Sequence, residues 1–126
     1  MDEESAGDEL LQSIREDSRL RRQAPLAFVL EFLEAVWLDN TYAEALEQWQ
    51  VKVDEFPWYA DDVLACLDLV IAHPPDDLAG LVREHGGIYL FGRDPESGEE
   101  RPGNAQAYWQ WLRDTRAELG RIYDAA

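Results

Sequence analysis

The sequence predicts an all-α fold, a compact bundle of four to five amphipathic helices, and three observations carry that expectation. Apolar residues recur at three- and four-residue spacing through most of the chain. Helix start and stop residues punctuate those stretches: Pro25, Thr41 with Glu44, Pro74-Pro75, Gly86-Gly87 and Asn104. Only one run, Ile88-Tyr89-Leu90-Phe91, reads as a strand. One strand cannot pair alone, so the run is either an extended apolar linker or half of a minor β-hairpin near 88–95.

Residues 1–9, MDEESAGDE, are acidic and small and show no periodicity. They read as a flexible acidic terminus ahead of a single helical domain over 10–126. Residues 10–22 place Leu10, Leu11, Ile14 and Leu20 among Arg19, Arg21 and Arg22, which suits a weak helix. The basic cluster reads as folding back on the chain's own carboxylates, with a partner site as the other reading.

Pro25 suits a first helical turn. The stretch after it, LAFVLEFLEAVWLD, has a broad apolar face from Phe28, Val29, Phe32 and Val36, widened by Leu26, Leu33 and Trp37. Such breadth predicts packing on two sides. Asn40 and Thr41 break this helix, and Thr41 with Glu44 forms a capping box for the next. Ala45, Leu46, Trp49 and Val53 give the new helix its stripe, and it ends before Phe56-Pro57.

A third clear helix opens at Trp58, with Val63, Leu64, Leu67, Val70 and Ile71 on one face and Asp61, Asp62 and Asp68 off it. Cys66 sits at the edge of that face, a packing position. Pro74-Pro75 stops the helix. Asp76 is the expected cap of a short helix that turns Leu78, Leu81 and Val82 inward and ends at Gly86-Gly87. Residues 92–104 read as a polar loop, and Asn104 caps a last helix over 105–122. Its stripe is Tyr108, Leu112, Leu119 and Ile122, flanked on opposite sides by Trp109 and Trp111.

Composition narrows function by exclusion. The 126 residues carry 27 Asp and Glu against 11 Lys and Arg, a formal net charge of −16. The acids are spread along the chain among apolar residues that make up 46% of it, so a folded acidic domain is expected rather than disorder. Such a field repels nucleic acid and anionic membranes and attracts basic partners. The single cysteine forbids an intrachain disulfide, and the first twenty residues lack an apolar signal-peptide core. Both suit a cytoplasmic location.

Catalytic patterns are missing. The sequence has no G-x-S-x-G, P-loop, G-x-G-x-x-G or H-E-x-x-H, and no calcium-loop pattern. His73 and His85 stand at helix C-termini, where the dipole favours a cation, and their spacing with Cys66 matches no zinc pattern. Asp61, Asp62, Asp76 and Asp77 read as helix-start acids. The expectation is no enzyme, no cofactor and no metal.

What remains is a helical surface dense in carboxylates with aromatics among them. Interface hot spots favour Trp and Tyr, and acidic neighbours steer basic partners. Two corners combine both. Trp58, Tyr59, Asp61 and Asp62 form one, and Trp37, Asp39 and Tyr42 form the other. For Trp58 and Tyr59 a hydrophobic staple over the core is the competing role.

The order of these features resembles the immunity proteins of bacterial contact-dependent growth inhibition and related polymorphic-toxin systems. The segments that carry the resemblance are FLEAVWLDNTYAEALEQW at 32–49, FPWYADDVLACLDLVIAHPPDDLAGLVREHGG at 56–87 and AYWQWLRDTRAEL at 107–119. The resemblance covers roughly residues 28–119. The loop at 92–104 and the charged N-terminal arm fall outside the pattern. The resemblance implies a small cytosolic antidote that binds and blocks a cognate toxin domain, often a basic nuclease; the chain is expected to be a monomer when free. It assigns no contact residues. An acidic adaptor or secretion chaperone that binds a basic protein segment is the alternative.

Overall fold

The computed structural model describes residues 3–126, with side chains described from residue 9 onward except at 11 and 14. Among them are six helices and one two-stranded antiparallel sheet: α1 (Glu3–Gln23), α2 (Pro25–Val36), α3 (Tyr42–Glu55), α4 (Pro57–Ala72), α5 (Leu78–Gly86), β1 (Phe91–Arg93), β2 (Glu100–Pro102) and α6 (Ala105–Ala125). The helical architecture is as expected, with six helices where four to five are predicted, and the small hairpin lies further along than 88–95, with its strands at Phe91–Arg93 and Glu100–Pro102. The first helix is longer than expected. It starts at Glu3 and takes in residues read from sequence as a terminus without structure.

Helix α4 is the hub. It packs against α1, α2, α3 and α6, and it buries Ala60, Asp62, Val63, Leu64, Cys66, Leu67 and Val70. Helix α2 lies beside it and also touches α1, α3 and α5. The breadth of its apolar face has that cause, because Phe28, Val29, Phe32, Leu33 and Val36 are all buried.

Local signals set most boundaries. Pro25 and Pro57 each begin a helix, where the missing N–H costs nothing. The capping box is formed: the Glu44 N–H donates to Thr41 Oγ1 at 3.1 Å, and the Thr41 N–H donates to Glu44 Oε1 at 3.0 Å. The Ala107 N–H donates to Asn104 Oδ1 at 3.0 Å. Gly87 ends α5 with φ 63°, a left-handed conformation that a Cβ would strain.

Two boundary expectations are corrected. The N-cap of α5 is Asp77 rather than Asp76, and its side chain makes no capping bond. Helix α4 starts at Pro57 and has no acid in its first turn, so Asp61 and Asp62 lie beyond the reach of its dipole.

Buried aromatics hold the packing in register through their polar ends. Trp49 is fully buried, and its indole N–H donates to the Leu119 carbonyl at 3.0 Å, fixing α3 on α6. Trp109 donates to the Ile71 carbonyl at 2.9 Å, fixing α6 on the end of α4. The Tyr108 hydroxyl accepts from the Leu90 N–H at 2.9 Å and donates to the Ile88 carbonyl at 3.0 Å. That last pair straps the extended segment 88–90 onto α6. A buried Tyr or Trp needs such a partner, and these bonds supply it.

The segment read as a polar loop folds back on itself. Phe91 pairs with Pro102, Gly92 with Arg101 and Arg93 with Glu100. The Asp94 carboxylate closes the turn by accepting from the Glu96 N–H at 2.8 Å and pairing with Arg101, and Gly98 takes φ 71°.

Candidate functional site

The two aromatic–acid corners lie at opposite ends of α3. Thirteen residue steps at 1.5 Å separate them by about 20 Å. They are not one patch, and each divides into core and surface.

At the first corner Trp37 is a core residue, 4% exposed. Its ring meets Phe32 at 5.9 Å, Trp111 at 5.5 Å and Tyr42 at 5.9 Å, all edge to face. This corrects its placement as a surface anchor: the turn after α2 carries it inward against α6. Tyr42 stays 44% exposed. Asp39 is exposed at φ 64°, the left-handed turn residue that lets the chain reverse into α3.

At the second corner Phe56 and Trp58 stand out, 40% and 43% exposed, with their rings edge to face at 5.8 Å. Tyr59 turns in. It meets the Phe28 ring edge to face at 5.4 Å, and burial pushes its phenol above the usual range. It therefore packs against α2 rather than standing as an exposed anchor, and its partner there is not the N′ residue that a hydrophobic staple would use. The Lys52 ammonium lies 5.5 Å from the Phe56 ring and 5.6 Å from the Tyr59 ring.

Asp62 is the second correction. It is 1% exposed, because α1 covers the face of α4 that carries it. Its carboxylate accepts from the Ser18 hydroxyl at 2.7 Å, from Arg21 Nε at 3.0 Å and Nη2 at 2.8 Å, and from Arg22 Nε at 2.6 Å. Burial alone would raise its pKa. The hydrogen bonds from Ser18, Arg22 and Arg21 outweigh that, and the carboxyl is held below its ordinary value. The same bond to Asp62 raises Arg22. Arg22 also pairs with the exposed Asp61 at 2.8 Å. The basic cluster thus folds back on the chain's own carboxylates through Arg21 and Arg22. Asp62 is an anchor for α1, not a contact for a partner.

The surface between the corners was missed from sequence. Along α3, Glu44, Glu47, Gln48, Val51 and Glu55 are all exposed and fall within about 100° of the helix circumference. Phe56 and Trp58 follow this stripe in the chain, at the junction of α3 and α4. Helical spacing of the acids carries the signal, but the apolar stripe on the opposite face of the same helix is the stronger pattern.

Other polar side chains pair across the surface. Arg116 bonds Asp68 at 2.9 and 3.1 Å, Arg121 pairs with Glu118, and His85 pairs with Glu34. Burial first, and then the neighbouring Asp62, raise the Cys66 thiol, which favours the unreactive protonated form. Among the described residues no three His, Cys, Asp or Glu side chains group as a metal site, and no helix is long and apolar enough to cross a membrane. No protein-family model, curated protein or solved structure matches the chain.

Proposed function

We propose that this chain is an immunity-type binding protein that neutralises a basic, nuclease-type toxin domain by covering its active surface. The observation that carries this reading is the outer stripe of α3, where Glu44, Glu47 and Glu55 flank Val51, followed in the chain by the exposed Phe56–Trp58 pair. Phe56 and Trp58 are apolar anchors of the type that dominates interface energetics. The carboxylates beside them oppose the lysines and arginines with which a nuclease holds phosphate. Inhibition is then stoichiometric, by occupation of the surface that the nucleic acid needs. The immunity-protein resemblance names the partner class, and the net charge of −16 agrees with it.

The test is growth rescue. Cells that express a candidate toxin, sought as the variable C-terminal domain of a large secreted protein encoded near this gene, should survive when this chain is co-expressed. Trp58→Ala combined with Glu47→Gln and Glu55→Gln should lose the rescue while the protein stays folded. Rescue undiminished by those substitutions rejects the α3 stripe, and absence of any rescue rejects the immunity reading. Binding of unfolded or extended segments but of no folded toxin domain would instead favour the secretion-chaperone alternative.

A further inference from the structure

We infer that the outer edge of β1 is a strand-addition site that takes an extended basic segment of the partner; the inference deepens the proposed function and rests on its basic partner. The register shows which backbone groups are free. The Gly103 N–H donates to the Leu90 carbonyl at 2.7 Å, and the Asp94 N–H donates to the Glu99 carbonyl at 2.9 Å. Hydrogen-bonded positions in an antiparallel pair alternate, so Leu90, Gly92 and Asp94 turn their backbone groups toward β2. Tyr89, Phe91 and Arg93 therefore turn theirs away from it. Among the described residues these outward groups have no hydrogen-bond partner, and no helix packs against either strand.

The two edges of the hairpin differ. On β2 the outward position is held by Pro102, which has no N–H, next to the charged Glu100. Such residues block further pairing. The β1 edge has no proline, and its one outward charge, Arg93, lies opposite Glu100. Its approach is also pre-ordered, because the Tyr108 hydroxyl fixes Leu90 and Ile88 and leaves Tyr89 and Phe91 65% and 60% exposed on one face.

Charge selects the occupant. A second copy of this chain would bring another −16, so edge-to-edge self-pairing is opposed. The hairpin itself carries Asp94, Glu96, Glu99 and Glu100 against Arg93 and Arg101. An incoming strand with lysine or arginine at alternate positions places those cations over the Tyr89 and Phe91 rings while its backbone completes the ladder.

The probe is an eight-residue peptide of alternating lysine and valine, titrated into the full chain at millimolar concentration and followed by amide NMR. The Tyr89, Phe91 and Arg93 amides should shift and gain exchange protection. A peptide methylated at alternate backbone nitrogens should bind roughly tenfold more weakly or worse. So should the Phe91→Pro variant, which removes an outward N–H without breaking the β1–β2 ladder, whereas Phe91→Ala should retain part of the affinity. Shifts centred elsewhere, no binding, equal binding of the methylated peptide, or equal binding of a glutamate–valine peptide would each overturn the proposal. The peptide comparison does not depend on any variant folding, nor on the toxin. Peptide binding without toxin rescue would reject the immunity reading alone, and toxin binding without peptide binding would reject strand addition alone.

Discussion

Asp61 and Asp62 are adjacent aspartates on one helix, yet truncating each to alanine should have very different effects. Asp62 is buried and accepts four hydrogen bonds from Ser18, Arg21 and Arg22. Removing one partner of a buried ion pair costs about 3 to 5 kcal/mol, because the other charge is left without compensation. Here water can reach the orphaned guanidinium groups, since the side chains of Arg21 and Arg22 are 22% and 44% exposed. The expected loss for Asp62→Ala is therefore near the lower end, about 3 kcal/mol. Asp61 is 59% exposed and makes a surface pair, so Asp61→Ala should cost at most about 1 kcal/mol. Urea titration followed by tryptophan emission and helical circular dichroism measures both. Equal losses for the two variants, or a loss below about 1 kcal/mol for Asp62→Ala, would refute the reasoning that α1 is anchored by a buried carboxylate.

Other expectations follow from the same geometry. Because the folded-state pKa of Asp62 is lowered, its contribution is complete above the unfolded value of 3.8 and fades as pH falls below it; acid titration of Asp62→Asn should lack that part of the wild-type stability loss. Trp37→Ala should cost about 3 to 5 kcal/mol by opening the junction of Phe32, Tyr42 and Trp111, whereas Trp58→Ala should change the urea midpoint little and act on partner binding instead. Gly87→Ala should cost about 1 kcal/mol or more by thermal melt, since its φ is 63° and the new Cβ would lie 3.1 Å from Leu38 Cδ1. Tyr108→Phe should cost about 1 to 3 kcal/mol, and hydrogen exchange should speed up at Leu90, which loses its acceptor.

The helices were legible because their signals are local. Pro25, the Thr41–Glu44 box, Asn104 and Gly87 each act within one turn, and each is found where expected. Asp76 was misjudged because two adjacent aspartates compete for one boundary, and loop geometry decides between them. The site was less legible because exposure is set by neighbours distant in sequence. Asp62 lies off the apolar stripe of α4, and only the docking of α1, forty residues earlier in the chain, buries it. Trp37 looked like a surface corner because its burial depends on Trp111. The second strand was hidden because Glu-Arg-Pro has no strand pattern; its pairing comes from the turn at Asp94 and Gly98.

The most direct test of the binding claim is calorimetric titration of this chain with a folded candidate toxin domain, identified by the rescue screen, at low and at physiological salt. The account predicts a one-to-one complex whose affinity falls steeply with salt and falls again when Glu47, Glu55 and Trp58 are replaced. Absence of binding, or a complex indifferent to both salt and those three residues, would contradict it.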